Sequence, residues 1–110
     1  MDSPLLLVHT TVGDRQAAER LATLLVEGRL AACVSIGAPI TSVYPWEGRI
    51  ESAGEVPLTI KTSPERWPDL RHALVEAHSY DVPECLAVPV LDGNEAYLAW
   101  ARDWMHQDKK

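Results

Sequence analysis

The sequence predicts an α+β sandwich with a single core, and three observations predict it. Short apolar runs at strand length, residues 4–8 and 85–91, stand apart from longer stretches whose apolar residues recur at helical spacing. Between them lies one long alternating stretch that turns back on itself, the pattern of a hairpin. At 110 residues, 46% hydrophobic and 24% charged, the chain has the size and composition of one ordinary domain spanning residues 1–110.

Residues 4–9, Pro-Leu-Leu-Leu-Val-His, read as a central strand buried on both faces, broken by Thr10-Thr-Val-Gly-Asp14. A helix follows from Asp14, its N-cap, with Ala17, Leu21, Leu24 and Leu25 on one face and Gly28 supplying the permissive backbone at its end. The second strand covers residues 30–36 and resumes at 40–44 after Gly37-Ala-Pro39, where a proline without an N–H predicts a bulge or an edge. Glu47-Gly48 begins a turn. The return strand is interrupted near Ala53-Gly54, after which Val56, Leu58 and Ile60 alternate with Pro57, Thr59 and Lys61.

Thr62-Ser-Pro-Glu65 has the form of a capping box and predicts a second helix with Trp67, Leu70, Leu74 and Ala77 buried and His78 at its end. An irregular connection, residues 80–84, leads into a strand over 85–90. Asp92-Gly-Asn94 turns the chain into a last helix with Tyr97, Trp100, Ala101 and Trp104 on one stripe, and Lys109-Lys110 forms a solvated tail. The order βαββαβ with an extra C-terminal helix is the split βαβ arrangement of ferredoxin-like sandwiches, here with a long hairpin between its second and third strands.

From Val34 to Trp46 a straight strand would reach roughly 40 Å, against a radius of gyration near ~13 Å for a compact chain of this length. The arms therefore extend past their own core. Tyr44 and Trp46, two apart on one strand, present an aromatic pair there, which predicts association.

A net charge of −6 argues against nucleic acid as a partner, and no apolar stretch reaches the roughly 20 residues needed to cross a bilayer, which argues against a membrane. With no basic leader and two isolated cysteines, the expected location is cytoplasmic. P-loop, dinucleotide, zinc-protease and nucleophile-elbow motifs are absent. Cys33 with His78 is a conceivable thiol and base, but nothing local activates Cys33, and it and Cys85 read as packed thiols. His9, ending the first strand, and His78, ending the second helix, are the better candidates, because imidazole suits Cu(II), Ni(II) or Zn(II). Glu84 and Tyr80 share the irregular connection.

Five segments in order, LVEGRLAACVSI, SVYPWEGRIE, LTIKT, HSYDVPE and NEAYLAW, together resemble the CutA divalent-cation tolerance family. The resemblance implies a cytoplasmic, non-enzymatic homotrimer of ferredoxin-like subunits joined by their hairpins and associated with tolerance to copper and other divalent metals. It places metal ligation at His9 and His78, trimer contacts at Tyr44 and Trp46, and an inter-subunit cleft at Cys33, Lys61, Tyr80 and Glu84. Departures from the family's pattern are Pro45, Ser79 and Cys85. The alternative is a trimeric signalling module of the PII type that binds a small effector in clefts between subunits.

Overall fold

The computed structural model describes residues 3–107, so Lys109-Lys110 lies outside the described residues. Its elements are β1 (Leu6–Val12), α1 (Arg15–Glu27), β2 (Cys33–Ile36), β3 (Ile40–Trp46), β4 (Arg49–Thr62), α2 (Trp67–Ala77), β5 (Leu86–Pro89) and α3 (Glu95–Met105). The antiparallel sheet runs β2-β4-β1-β5, and β3 pairs with the remaining part of β4. This is the expected ferredoxin-like order, with the long second strand divided into β2 and β3.

β1 differs from its expected form at both ends. It continues through Thr10 to Val12 because β4 pairs with it up to Val12↔Val56, so a polar threonine pair does not end it. It is also not uniformly buried: Val8, Thr10 and Val12 face the helices, while Leu7, His9 and Thr11 lie on the opposite, less covered face. The core joins Val8, Val12, Leu58 and Ile60 to Leu21 and Leu25 of α1 and Leu70 and Leu74 of α2.

At the second strand, residues 37–39 face only residues 56–57, the bulge that Pro39 predicted. The strands approach closely here: a Cβ at Gly37 would meet Pro57 Cγ at 3.0 Å, so a larger residue would have to push that ring aside. β4 is unbroken across Ala53-Gly54, because β3 supplies partners for both residues at Ser42 and Thr41. Glu47 and Gly48, with φ 51 and 78, close the hairpin as a two-residue turn whose twist matches the strands.

Asp14 caps α1 as expected, its Oδ1 accepting the Ala17 N–H at 2.8 Å. At the other end the left-handed residue is Arg29 (φ 59), while Gly28 stays right-handed at φ −77. The Arg29 guanidinium offsets that backbone cost: it stacks 3.5 Å from the Trp104 ring centroid and donates to Trp104 O at 3.1 Å and Gln107 Oε1 at 3.2 Å. Leu24 turns out exposed, and Ala18 takes its place in the buried stripe.

The expected capping box does not form, and α2 has no side-chain cap. Thr62 is still in the β4 ladder and donates its hydroxyl to Leu30 O at 2.6 Å, so Ser63 Oγ accepts the Arg66 N–H instead and the helix begins at Trp67. Ala77 is exposed rather than buried. In α3 the buried stripe is Leu98, Ala101 and Met105, with Tyr97 and Trp100 left 41% and 54% exposed. That helix packs on Leu5 and Ala32 at the sheet end, and its last carbonyls are held by Arg29 and by Arg66 Nε, 2.7 Å from Met105 O. Those fixed contacts choose the face.

Candidate functional site

The polar chemistry of the chain gathers where the β3–β4 hairpin leaves the sheet. At Pro57 the carbonyl accepts the Gly37 N–H, so it points toward β2. Thr11, directly opposite, therefore directs its own backbone groups to the other side. There β5 has already ended, its pairing stopping at His9↔Leu86. The Thr11 carbonyl would be left without a ladder partner, and His78 Nε2, 2.8 Å away, takes it.

The second ring nitrogen of His78 is also engaged, Nδ1 accepting the Tyr80 N–H at 3.1 Å. A carbonyl only accepts and an amide N–H only donates, so the pair of bonds sets one neutral tautomer with the proton on Nε2. The Tyr80 ring lies 4.7 Å from the imidazole, and its hydroxyl donates to Glu55 Oε2 at 2.9 Å. Thr11 Oγ1 donates to the same oxygen at 3.0 Å.

Burial raises the Glu55 pKa, but hydrogen bonds from Ser42, Tyr80 and Thr11 and the nearby His78 outweigh it and hold the carboxyl below its ordinary value. Burial first, then the bond to and charge of Glu55, push Tyr80 up to about 12. The sequence reading missed Glu55, Thr11 and Ser42. The available signal was the alternation that places Glu55 on the polar face with Pro57, Thr59 and Lys61.

The other expected residues fall into separate groups. Cys33 and Lys61 are a register pair, Lys61 Nζ lying 3.9 Å from Cys33 Sγ. They sit opposite Leu7, four residues along β1 from Thr11, or roughly 13 Å from the Tyr80 cluster. Glu84 is exposed in the connection, with no side-chain hydrogen bond among the described residues. Burial raises the Cys85 thiol and nearby Arg71 only partly opposes it, consistent with a packed, unreactive cysteine. His9 is half-buried on the less covered face, flanked by Thr59 and Leu86, and makes no side-chain hydrogen bond among the described residues.

Among the described residues no group of three or more His, Cys, Asp or Glu side chains could hold a metal ion. With both His78 nitrogens engaged, a single chain in this arrangement does not fit a divalent cation. Tyr44 and Trp46 lie on β3 near the hairpin tip, opposite Glu51 and Arg49. Around them Val43, Trp46 and Ile50 are 68%, 61% and 75% exposed.

A one-sided sheet with a bare, extended hairpin rooted in a polar cluster defines a ferredoxin-like α+β domain with a projecting arm. The family model described as CutA1 divalent ion tolerance protein matches residues 6–104, and the chain belongs to that family. It is 40% identical over 97 residues to "Divalent-cation tolerance protein CutA" of Thermus thermophilus, covering 88% of this chain and 94% of that one. It is also 41% identical over 100 residues to "Protein CutA, chloroplastic" of Arabidopsis thaliana, covering 91% of this chain but 55% of that protein. The chain thus spans about half the length of the plant and human relatives it matches. The crystal structure of CutA1 from Shewanella sp. SIB1 superposes with a TM-score of 0.93 at 38% identity, covering 97% of this chain and all of that one. Among the described residues no helix is long and apolar enough to cross a membrane.

Proposed function

We propose that this protein is a divalent-cation tolerance protein that works without enzymatic chemistry, as a homotrimer. The observation that carries the assembly is the β3–β4 arm, which exposes Val43, Trp46 and Ile50 beyond any cover its own core provides. The extents of 45 × 31 × 23 Å and a radius of gyration of 14.8 Å, above the ~13 Å of a compact chain, support the same reading. Tyr44 and Trp46 are the anchors of that contact, and a cyclic arrangement places the same arm in three equivalent interfaces.

The cation reading rests on the names of the relatives and on two imidazoles near the end of β1. His9 has free ring nitrogens, and His78 offers Nδ1 once Tyr80 is displaced. Cu(II) is the ion whose preference for nitrogen donors fits best, with other divalent metals following. Since neither one chain nor two histidines completes a ligand set, the remaining donors come from water or a neighbouring copy. The two unpaired cysteines fit a reducing compartment, and we assign the protein to the cytoplasm, although the Arabidopsis relative is named chloroplastic.

Isothermal titration with Cu(II) of the parent, His9→Ala and His78→Ala, beside sedimentation of each, tests both parts. Both single variants binding more weakly and the parent sedimenting as a trimer is the expected result. Equal affinity in all three removes both histidines from the site, and a 12.2 kDa species removes the trimer. A second reading, a small effector bound between subunits, is favoured by the Lys61–Cys33 pair, which puts a cation on the less covered sheet face; with Tyr80 and Glu84 of a neighbouring copy it forms the cleft. A thermal-shift screen with nucleotides and organic acids separates it from the first reading.

A further inference from the structure

Three positions whose helical spacing marks them as core are left uncovered by the fold, and they meet in one place. Ala17 of α1 is half-buried, Leu24 of α1 is 47% exposed, and Ala77 at the end of α2 is exposed. All three line a single groove of about 200 Å³ between α1 and the end of α2, floored by the buried Val12 and Leu21. Small side chains keep it open: Ala17 and Ala77 stand where larger residues would fill the space between the helices. Apolar walls left to water favour an occupant that is itself apolar.

Arg20 lines the same groove. It shares the helical face of Ala17 and Leu24, and helical side chains lean toward the N-terminus, which carries it over Ala17. The positions that could pair with it along α1 are Gln16, Ala17, Thr23 and Leu24, none of them acidic, and among the described residues no ion pair includes Arg20. Its neighbour Glu19 is taken by Arg15 at 3.3 Å. His78, at the groove's end, has both ring nitrogens engaged and offers no further donor.

We propose that this groove binds a small aliphatic monocarboxylate, its chain between Ala17, Leu24 and Ala77 and its carboxylate paired with the Arg20 guanidinium. The volume sets the size of the ligand, since sites for drug-sized molecules run from ~300 to 1,000 Å³. A guanidinium matches a carboxylate in a two-point contact, and a singly charged acid loses less hydration against apolar walls than a phosphate does. The chain's net charge of −6 disfavours a multiply charged anion in the same way. The groove lies on the helix side of the sheet, away from the arm and from the face carrying Cys33 and Lys61, so the site depends on neither the cation reading nor the assembly.

Methyl NMR of the full chain tests this with isovalerate, beside its neutral isostere isovaleramide and beside acetate, which has the charge without the chain. Isovalerate should shift the Val12, Leu21 and Leu24 methyl signals saturably, in the millimolar range expected of so small a ligand, with isovaleramide and acetate each binding about tenfold more weakly. Arg20→Gln should weaken binding of the acid about tenfold and leave the amide unchanged. Ala17→Leu, which fills the groove from α1, should abolish both. Groove methyls that do not respond to isovalerate overturn the site. Equal affinity for acid and amide, or an Arg20→Gln variant that binds the acid as the parent does, overturns the carboxylate contact and the ligand class with it. Groove methyls that shift with protein concentration alone would assign the groove to a second copy and overturn the small-molecule assignment.

Discussion

β4 is one strand with two lives. From Val56 to Thr62 it lies between β1 and β2, and every second residue is buried: Val56, Leu58, Ile60 and Thr62. From Arg49 to Glu55 it pairs with β3 alone, and none of its residues is buried. Both halves have the extended backbone and the antiparallel partner that strands require. What differs is the second layer: α1 and α2 cover the first half, and among the described residues no helix covers the second. A strand's alternation states which residues share a face, and only the packing states whether that face is used.

The widest separation between the halves is expected in chain stability. Leu58→Ala removes a fully buried side chain and should cost roughly 2–5 kcal/mol in denaturant unfolding. Ile50→Ala, on the arm, should change the stability of a dissociated chain by less than about 0.5 kcal/mol. Comparable losses at both positions would mean that the arm folds back onto a core of its own.

Assembly should invert the ranking. Replacing Tyr44 and Trp46 together by alanine is expected to weaken self-association by over ~1 kcal/mol for each anchor lost, read from the concentration dependence of sedimentation, with the fold intact by circular dichroism. An unchanged association constant would show that the bare half is bare in the assembly too.

Arg29 sharpens the comparison, because it belongs to the covered side and its backbone is strained. Arg29→Ala loses the ring stacking and both hydrogen bonds while keeping the left-handed backbone, for an expected cost of ~1–3 kcal/mol. Arg29→Gly loses the same contacts but relaxes the backbone, and should be less damaging by up to about 1 kcal/mol. Equal losses in thermal unfolding would place the whole effect in the guanidinium.

The root between the halves should respond to pH at both extremes. Glu55 accepts its bonds as a carboxylate with a lowered pKa, so its contribution is complete above the unfolded carboxylate range near ~4.3 and is lost as pH falls through the lowered value. Tyr80 donates in its neutral form with its pKa raised from 10.0 to about 12, so its contribution is complete below 10 and is lost as pH rises through about 12. Amide hydrogen exchange of the arm, corrected for intrinsic rates, should therefore accelerate beyond each of these limits, and Glu55→Gln should abolish the acceleration that Glu55 protonation causes. The smallest effect belongs to His106→Ala: its 3.7 Å contact with Glu65 is exposed and should contribute less than about 0.5 kcal/mol.

The sequence by itself determined the order of elements, the Asp14 cap, the Glu47-Gly48 turn, the bulge before β3, and a core built on Leu21, Leu25, Leu58, Ile60, Leu70 and Leu74. Each follows from a local rule, a capping side chain, a backbone preference or a period of two or 3.6 residues, that is legible within a few positions. The family, too, was legible from five ordered segments. The tertiary structure alone decided which face α3 buries, why a left-handed arginine is tolerated at position 29, and how His78, Tyr80, Glu55 and Thr11 meet. The physical reason is the span of those contacts: Thr11 reaches 44 residues to Glu55 and 67 to His78, and Arg29 reaches 75 to Trp104. A period records which way a side chain points. The partner it meets depends on where β5 stops pairing, where Pro57 turns its carbonyl, and which chain end the helices leave within reach.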